Sequence, residues 1–337
     1  MTLSLPMSPE NNAIASSREA RGLLLGFIGV LCFSVSLPAT RVAVRELGWV
    51  FVSFGRAVVA GVLATIVLVV TRTPRPPRRY AFNLIGVVAG VVIGFPVCTG
   101  LALRHAPAGH GAVVIGLLPA ATAGWSLLRT GDRPSKRYWM FAALGVAAVS
   151  TLAIAKASTK DLAVGDLYLL GAVASASFGY TEGAIVSRQI GGWQTISWAV
   201  VAALPFTIPL TLLGLAPVST GDPRTAWLGF AYLSIVSMYL GFFAWYAGLA
   251  IGGVARVSQV QLLQPILSLT WAGLFLHEHI DALLVGVAVV VFVAVFGSRR
   301  SAIATVAPTP ARALVTNAPS ASSASSASSA SSATSSR

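Results

Sequence analysis

Charged side chains inside long apolar stretches are the residues of this chain whose chemistry stands out. Arg56 lies within the apolar run 49–70, and Glu182 lies within the run 165–187. A charge near the middle of a membrane helix costs about 2.5–3.5 kcal/mol on insertion scales, so it is seldom kept without a task. The planar guanidinium of Arg56 could bind an anionic group such as a carboxylate, or it could hold a helix end or a carbonyl.

Two interpretations of Glu182 are open. In apolar surroundings its carboxyl group favours the protonated form, which would let it exchange protons or contact a cationic group of a substrate. Alternatively, because it is close to the end of its run, it could reach the interface and be solvated. Arg56 and Glu182 differ by about 15 Å in depth, so we do not expect them to pair. We expect no His or Asp inside the apolar runs.

Polar side chains also gather on one face of the ninth apolar run, 255–276. At 100° per residue, Ser258, Gln261, Gln264 and Ser268 fall within about one third of the helix circumference. Two glutamines in hydrocarbon need partners, which either a substrate or a neighbouring helix can supply. We expect this face to line a cavity, with hydrogen bonding between helices as the alternative.

Further candidates stand at helical spacing on the sixth and eighth runs. Ser175 precedes Glu182 by two turns, and Tyr239 and Tyr246 have the same spacing. Aromatic side chains could stack on a flat or apolar substrate, although such a stripe more often packs against neighbouring helices. The candidate substrate-binding or cavity residues are therefore Arg56, Ser175, Glu182, Tyr239, Tyr246, Gln261 and Gln264.

Membrane helices must position these residues, because the composition excludes a water-soluble core of this size. Hydrophobic residues make up 55% of the chain and charged residues only 10%, and the mean hydropathy is +0.79. A membrane helix needs about 20 apolar residues and satisfies its own backbone hydrogen bonds. The sequence predicts an all-α integral membrane protein whose ten helices occupy the runs 22–42, 49–70, 81–103, 109–128, 139–155, 165–187, 195–215, 225–251, 255–276 and 280–296.

The two halves of the chain contain an internal repeat. Gly100–Leu103 recurs as Gly248–Ile251, and at a constant offset of 146 Pro119, Trp125 and Asp132 recur as Pro265, Trp271 and Glu278. Five helices per copy is an odd number, so the second copy is inserted upside down, as in many secondary transporters. Each proline lies near mid-helix and removes a backbone donor, which predicts a helix kink at Pro119 and another at Pro265.

This pattern, in which a mid-helix proline precedes an acidic residue by about thirteen positions in both copies, resembles the EamA-like branch of the drug/metabolite transporter superfamily. An Arg inside the second helix, here Arg56, is part of the resemblance, whereas Asp132 departs from the usual Glu. The resemblance implies a bacterial inner-membrane carrier, often an exporter of amino acids or other small metabolites.

The expected organisation has four parts. The first five-helix repeat covers 21–156 and the second covers 164–297. The N-terminus (1–20) and the tail (298–337), which is rich in Ser and Ala, are expected to be disordered and cytoplasmic, because segments of such composition cannot bury enough apolar surface to offset the entropy of ordering.

These features favour a secondary transporter that works by alternating access between the inverted repeats, and the resemblance implies that it is an exporter. An intramembrane enzyme would need a nucleophile, base or metal together within the runs, and a non-transporting scaffold would usually carry a folded soluble domain or larger loops. We expect no enzyme activity and no cofactor. His277, Glu278, His279 and Asp281 cluster, but their spacing is not that of a metal motif, so we expect no metal.

Charge placement indicates the orientation and the partners. Sixteen of the 23 Lys and Arg residues lie on the side of the N-terminus, which places both termini in the cytoplasm. The net charge of +13 is scattered over loop ends, without the basic stripe that would track nucleic acid. The expected partners are a small-molecule substrate and the lipid bilayer, and a homodimer is left open.

Overall fold

The computed structural model describes residues 9–130, 136–156, 160–215 and 223–302, and within this part every regular element is helical. Helix α1 begins at Pro9, a residue suited to the first turn of a helix, and so enters the segment expected to be disordered. The tail from 303 onward lies outside the described residues. The α-helices are α1 (Pro9–Ser34), α2 (Ser36–Leu47), α3 (Trp49–Val70), α4 (Ala81–Val87), α5 (Phe95–His105), α6 (Ala108–Ile115), α7 (Leu118–Thr130), α8 (Lys136–Lys156), α9 (Lys160–Ile190), α10 (Gly192–Leu213), α11 (Pro223–Ala231), α12 (Gly241–Gly252), α13 (Val254–Val257), α14 (Gln264–Leu276) and α15 (Ala282–Ala302).

These helices form ten transmembrane segments in two inverted five-helix repeats, as predicted. Large apolar side chains such as Val70, Phe82 and Leu213 are exposed, as expected for contact with lipid. Among the described residues, seven helical segments are long and apolar enough to cross a membrane: Ser17–Leu47, Trp49–Val70, Arg78–His105, Ala108–Arg129, Val164–Ile190, Gly192–Leu213 and Pro223–Gly252. Three shorter apolar helices occupy the remaining runs: Trp139–Ala148, Val260–Leu276 and Ala282–Ala294.

Helix irregularities recur at equivalent positions of the two repeats. A π-helical segment, Val88–Gly94, separates α4 from α5, and a second one, Tyr232–Leu240, separates α11 from α12. The following helices begin at Phe95 and Gly241, which are 146 residues apart, the offset of the sequence repeat. The third helix of each repeat therefore departs from α-helical geometry at the same place.

The two mid-helix prolines mark breaks rather than the predicted kinks. Helix α6 ends at Ile115, and α7 begins with Leu118 followed by Pro119. In the second repeat a 3₁₀ segment, Ser258–Leu263, leads into α14, which carries Pro265 at its second position. A proline suits the first turn of a helix because its missing N–H has no intrahelical partner there. Each proline thus starts a new helix.

Contacts between the repeats follow an approximate two-fold arrangement. The first segment of each repeat packs on the third segment of the other, which pairs α1 with α12 and α9 with α5. The second segments pack on each other (α3 with α10), as do the fourth (α6 with α14) and the fifth (α8 with α15). At the crossing of the fourth segments, a Cβ on Gly116 would lie 3.0 Å from Cγ of Pro265, so the two breaks touch.

Glycine allows the closest of these approaches. A Cβ on Gly90, in the first π-helical segment, would lie 2.4 Å from the carbonyl oxygen of Ser175 and 2.7 Å from the amide nitrogen of Gly179. Both are backbone atoms of α9, so neither can turn away. Gly86, Gly90 and Gly94 recur at every fourth position, a spacing of small residues that permits close helix packing, and at Gly90 the two backbones are in contact.

Candidate functional site

A small cavity lies at the centre of the bundle, where the irregular segments of both repeats meet. The break between α1 and α2 contributes three side chains to its lining, and each π-helical segment contributes at least one. The cavity volume is about 20 Å³, room for about one water molecule. The lining residues are Phe33, Ser36, Leu37, Arg56, Val91, Phe95, Ala176, Tyr180, Ser237, Met238, Phe242 and Gln264.

Arg56 of α3 brings the only full positive charge to this lining. Its side chain is buried, with 3% of the residue exposed. Its Nη2 donates a hydrogen bond to Ser237 Oγ at 3.0 Å, and Ser237 Oγ lies 2.7 Å from Ser36 Oγ. The Nε–H of Arg56 is buried without a partner among the described residues. The guanidinium of Arg56 can therefore donate a hydrogen bond to a ligand.

One wall of the cavity is aromatic and carries further polar atoms. The ring of Tyr180 lies 5.4 Å from that of Trp245 and 6.5 Å from that of Phe33, measured between centroids. Gln261 Nε2 donates to Gln264 Oε1 at 3.4 Å, while Gln261 Oε1 is buried without a partner in the described part of the chain. An apolar wall with a few polar atoms is typical of a small-molecule site.

The polar face predicted on the ninth run is buried, and its members divide between two roles. Gln264 lines the cavity and Gln261 lies next to it. Ser268 Oγ instead donates to the carbonyl of Ser34 at 2.7 Å, and Ser258 Oγ donates to Val254 of its own helix. The face therefore contains both cavity-lining residues and hydrogen bonds between helices.

Three other candidate residues lie outside the cavity lining. Ser175 packs against Gly94 at the crossing of α9 with the first π-helical segment. Tyr239 is buried and its hydroxyl lies 2.9 Å from Ser197 Oγ, on the side of α10. Tyr246 is also buried, and its hydroxyl donates to the carbonyl of Gly179 at 3.2 Å. These contacts are those of helix packing.

Glu182 lies away from Arg56 and belongs to an ionic cluster at one end of the bundle. The carboxylate is fully buried, so the interpretation that it is solvated is wrong. Arg129 Nε donates to Oε1 at 2.7 Å, Arg129 Nη2 donates to Oε2 at 3.1 Å, and Asn83 Nδ2 donates to Oε2 at 2.5 Å. This cluster joins α4 and α7 of the first repeat to α9 of the second. We call this end of the bundle the Arg129 end.

At the opposite end, Glu278 joins the second repeat to the first. Its carboxylate accepts hydrogen bonds from the backbone N–H groups of Ala108 at 2.9 Å and Gly109 at 2.8 Å, at the start of α6. A carboxylate there satisfies free amides and interacts favourably with the helix dipole. No group of three potential metal ligands occurs among the described residues, the segment around Glu278 included. Asp132, the equivalent position, lies outside the described residues.

The same end holds a buried pair that corrects an expectation. His110 of α6 and Asp166 of α9 lie inside membrane segments, with His110 Nε2 2.5 Å from Asp166 Oδ1. The expectation of no His or Asp inside the apolar runs is therefore wrong. Each residue is the second of its apolar run, and the bounds of such a run are uncertain by a few residues. The sequence alone therefore did not reveal that His110 and Asp166 are buried. We call this end the His110 end.

Other functional residues could not be found by inspecting one helix at a time. Ser36 and Ser237 meet in space although they are 201 positions apart. Arg129 lies one residue beyond the end of the run 109–128, so the sequence places it in a loop. The sequence did offer one signal for Arg129. A buried Glu182 needs a positive partner, and Arg129 lies at the same end of a neighbouring helix.

Comparisons with known proteins agree with this architecture. The EamA-like transporter family matches residues 20–154 and 163–300. The uncharacterized transporter YdeK of Bacillus subtilis (strain 168) is 43% identical over 286 residues, which cover 85% of this chain and 99% of YdeK. The uncharacterized transporter YvbV of the same strain is 22% identical over 277 residues, which cover 80% of this chain and 88% of YvbV.

A solved structure described as "Crystal structure of protein" has a TM-score of 0.61 at 16% identity and covers 84% of this chain and 98% of its own. That likeness shows the fold alone. The family and the name of the 43% identical relative indicate membrane transport. With both of its halves matched, the chain belongs to the EamA-like transporter family.

Proposed function

We propose that this protein is a secondary transporter that exports a small metabolite bearing a carboxylate, such as an amino acid, by alternating access between its two repeats. The observation that carries the proposal is Arg56, a buried guanidinium in the central cavity with one unpartnered donor. A buried charge without a counterion is costly unless a ligand or a network compensates it.

Arg56 has no carboxylate partner in the described part of the chain. The buried carboxylates of Glu182 and Asp166 are engaged by Arg129 and His110, at opposite ends of the bundle. Ser237, a neutral hydroxyl, is the side chain that accepts from Arg56. A substrate carboxylate would supply the missing charge and could accept two parallel hydrogen bonds from the planar guanidinium.

Two buried polar atoms on side chains that contact the lining residues Gln264 and Tyr180 suit a second group on the same substrate. Gln261 Oε1 is a buried acceptor without a partner in the described residues, so it can take an N–H or O–H donor. Trp245 Nε1 is a buried donor that also has no hydrogen-bond partner in the described residues. A carboxylate together with a neighbouring amino group would use both kinds of atom, which favours an amino acid among the anionic metabolites.

Alternating access is supported by the closure of the cavity at both ends. A volume of about 20 Å³ is too small for a metabolite, so helices must separate before a substrate can enter. Interactions between the repeats, at Glu182 on one side and at Glu278 on the other, are suited to opening one at a time. Discontinuous helices around a central site are a recurrent feature of such carriers.

We place the protein in the bacterial inner membrane with both termini in the cytoplasm, which puts the Arg129 end on the cytoplasmic side. The support is the excess of Lys and Arg on that side. Small-molecule substrate and lipid are its proposed partners, with a homodimer left open. A reporter fusion after Arg300 that is active only in the periplasm would contradict this orientation.

Counterflow in proteoliposomes tests the substrate class. We expect labelled amino acids and other carboxylates to exchange, and their amides and esters to fail. Arg56→Gln should abolish exchange, whereas Arg75→Gln, at an exposed position, should behave as wild type. Carboxylate exchange by Arg56→Gln with unchanged KM and rate would refute the proposal.

A further inference from the structure

The His110–Asp166 pair is a titratable site that the central cavity does not use. The two residues are 4% and 8% exposed, and their side chains join α6 of the first repeat to α9 of the second. Asp166 Oδ2 is buried without a partner among the described residues. A carboxylate with one free oxygen in dry surroundings needs a positive neighbour, and imidazole supplies one only when it carries a second proton.

Other charged and titratable groups lie at this end of the bundle, among them His277 and His279 on either side of Glu278. Glu278 caps the start of α6, and Arg41 of α2 donates to the carbonyl of Leu103 and interacts electrostatically with Glu278. A Cβ on Gly165 would lie 3.5 Å from Cβ of His105, which places that residue of α5 near the start of α9. Helices α14 and α15 also pack on α6, and within Gln264–Leu276 and Ala282–Gly297 they contain no charged residue. The remaining titratable or charged positions on elements that pack on α6 or α9 near this end are Arg45, Glu46, Arg104, Lys156, Lys160, Asp161 and Tyr168, with Asp281 preceding α15.

Closure and proton binding are linked at this pair. While α6 and α9 are in contact, an imidazolium beside the carboxylate leaves no net charge, whereas loss of the proton leaves a buried negative charge. When the helices separate, water solvates both groups and the imidazole can release the proton. The closed form therefore binds more protons than the open form at neutral pH.

The pair is also connected to the central cavity through its helices. Asp166 precedes the cavity residues Ala176 and Tyr180 on the same helix, by about 15 Å and 21 Å along the axis. Helix α6 ends at the break that touches Pro265 of the second repeat. Separation of α6 from α9 at the His110 end would thus open a path toward Arg56.

We propose that His110 and Asp166 form a proton-binding site that holds the His110 end closed, so that opening at this end releases one proton to the solution that it faces. The proposal rests on the transport function proposed above. Proton linkage gives the direction of the pH dependence. Because the open form binds fewer protons, the ratio of open to closed protein increases as pH rises, by up to tenfold per pH unit for one proton.

Hydrogen–deuterium exchange of the full chain in nanodiscs tests the site without a substrate. The peptide 108–115 should show an opening equilibrium, corrected for intrinsic exchange, that increases with pH by up to tenfold per pH unit. Asp166→Asn and His110→Gln should both remove this dependence. His105→Gln, a histidine at the same end, should retain it. A flat wild-type response, or an unchanged slope in both pair variants, would overturn the proposal.

Sided pH changes in proteoliposomes of determined orientation provide a second measurement. Counterflow should accelerate when pH is raised on the side facing the His110 end and should be insensitive to the other side. Sensitivity from the Arg129 end alone would overturn the assignment. Absence of any transport, together with pH-dependent exchange in 108–115, would instead refute the transport function and support the proton site.

Discussion

The contact between the first π-helical segment and α9 predicts a severe effect of a single methyl group. In Gly90→Ala the new Cβ would lie 2.4 Å from the carbonyl oxygen of Ser175, and ordinary contact begins near 3.4 Å. The helices must therefore part by about 1 Å, because only backbone atoms stand opposite. Overpacking of this kind costs about 1–3 kcal/mol, and we expect the upper end. The preference of helices for Ala over Gly offsets about 1 kcal/mol, which leaves about 2 kcal/mol.

Gly286→Ala is the matched control, since a Cβ on Gly286 meets no atom within 4 Å. Thermal unfolding of each purified variant in detergent measures the difference. On the scale of about 2–4 °C per kcal/mol for large domains, Gly90→Ala should unfold about 4–8 °C below wild type, and Gly286→Ala should equal or exceed wild type. Equal unfolding temperatures for the two variants would show that the segment and α9 are not in backbone contact.

Three further predictions concern the polar contacts. Gln264→Leu should keep its abundance in the membrane and lose transport, whereas Gly90→Leu should lose abundance more than transport. Equal loss of abundance in both variants would mean that Gln264 is a packing residue. Arg129→Gln should destabilise by about 3–5 kcal/mol, because it leaves the carboxylate of Glu182 fully buried, and Glu182→Gln should cost less, because the side chain of Arg129 is 41% exposed and can turn to solvent. Thermal unfolding of both variants checks this order, which the reverse result would contradict. Glu278→Ala should cost about 0.5–2 kcal/mol by freeing two amides of α6, and faster amide exchange at Ala108 and Gly109 measures it; unchanged exchange there would exclude the cap.

Much of the fold could be predicted because membrane insertion depends on local composition. Runs of apolar residues identify helices without reference to the rest of the chain. The repeat was detectable because Pro119 and Pro265, at equivalent positions of the two copies, each remove a backbone hydrogen-bond donor. The π-helical segments had no such signal, since Val88–Gly94 is as apolar as its neighbours. Helix kinks were predicted only at the two prolines.

The site was less predictable, because a membrane helix is apolar on all sides and its pattern does not show which face turns inward. Arg56 and Gln264 could be identified, since a charged or amide side chain in hydrocarbon needs a partner. Tyr239 and Tyr246 could not be distinguished from cavity residues by spacing alone. Their hydroxyl groups are occupied by Ser197 and by the carbonyl of Gly179, contacts that depend on how distant helices pack.

The π-helical segments of the two third helices also set the orientation of the residues that follow them. A turn closed by bonds to the fifth residue along holds more residues than a regular turn, so the side chains after it point in a different direction from those of an uninterrupted α-helix. The two segments end 146 residues apart, at Gly94 and Leu240. Phe95 and Phe242, which follow them and line the cavity, therefore owe their orientation to the same irregularity in each repeat.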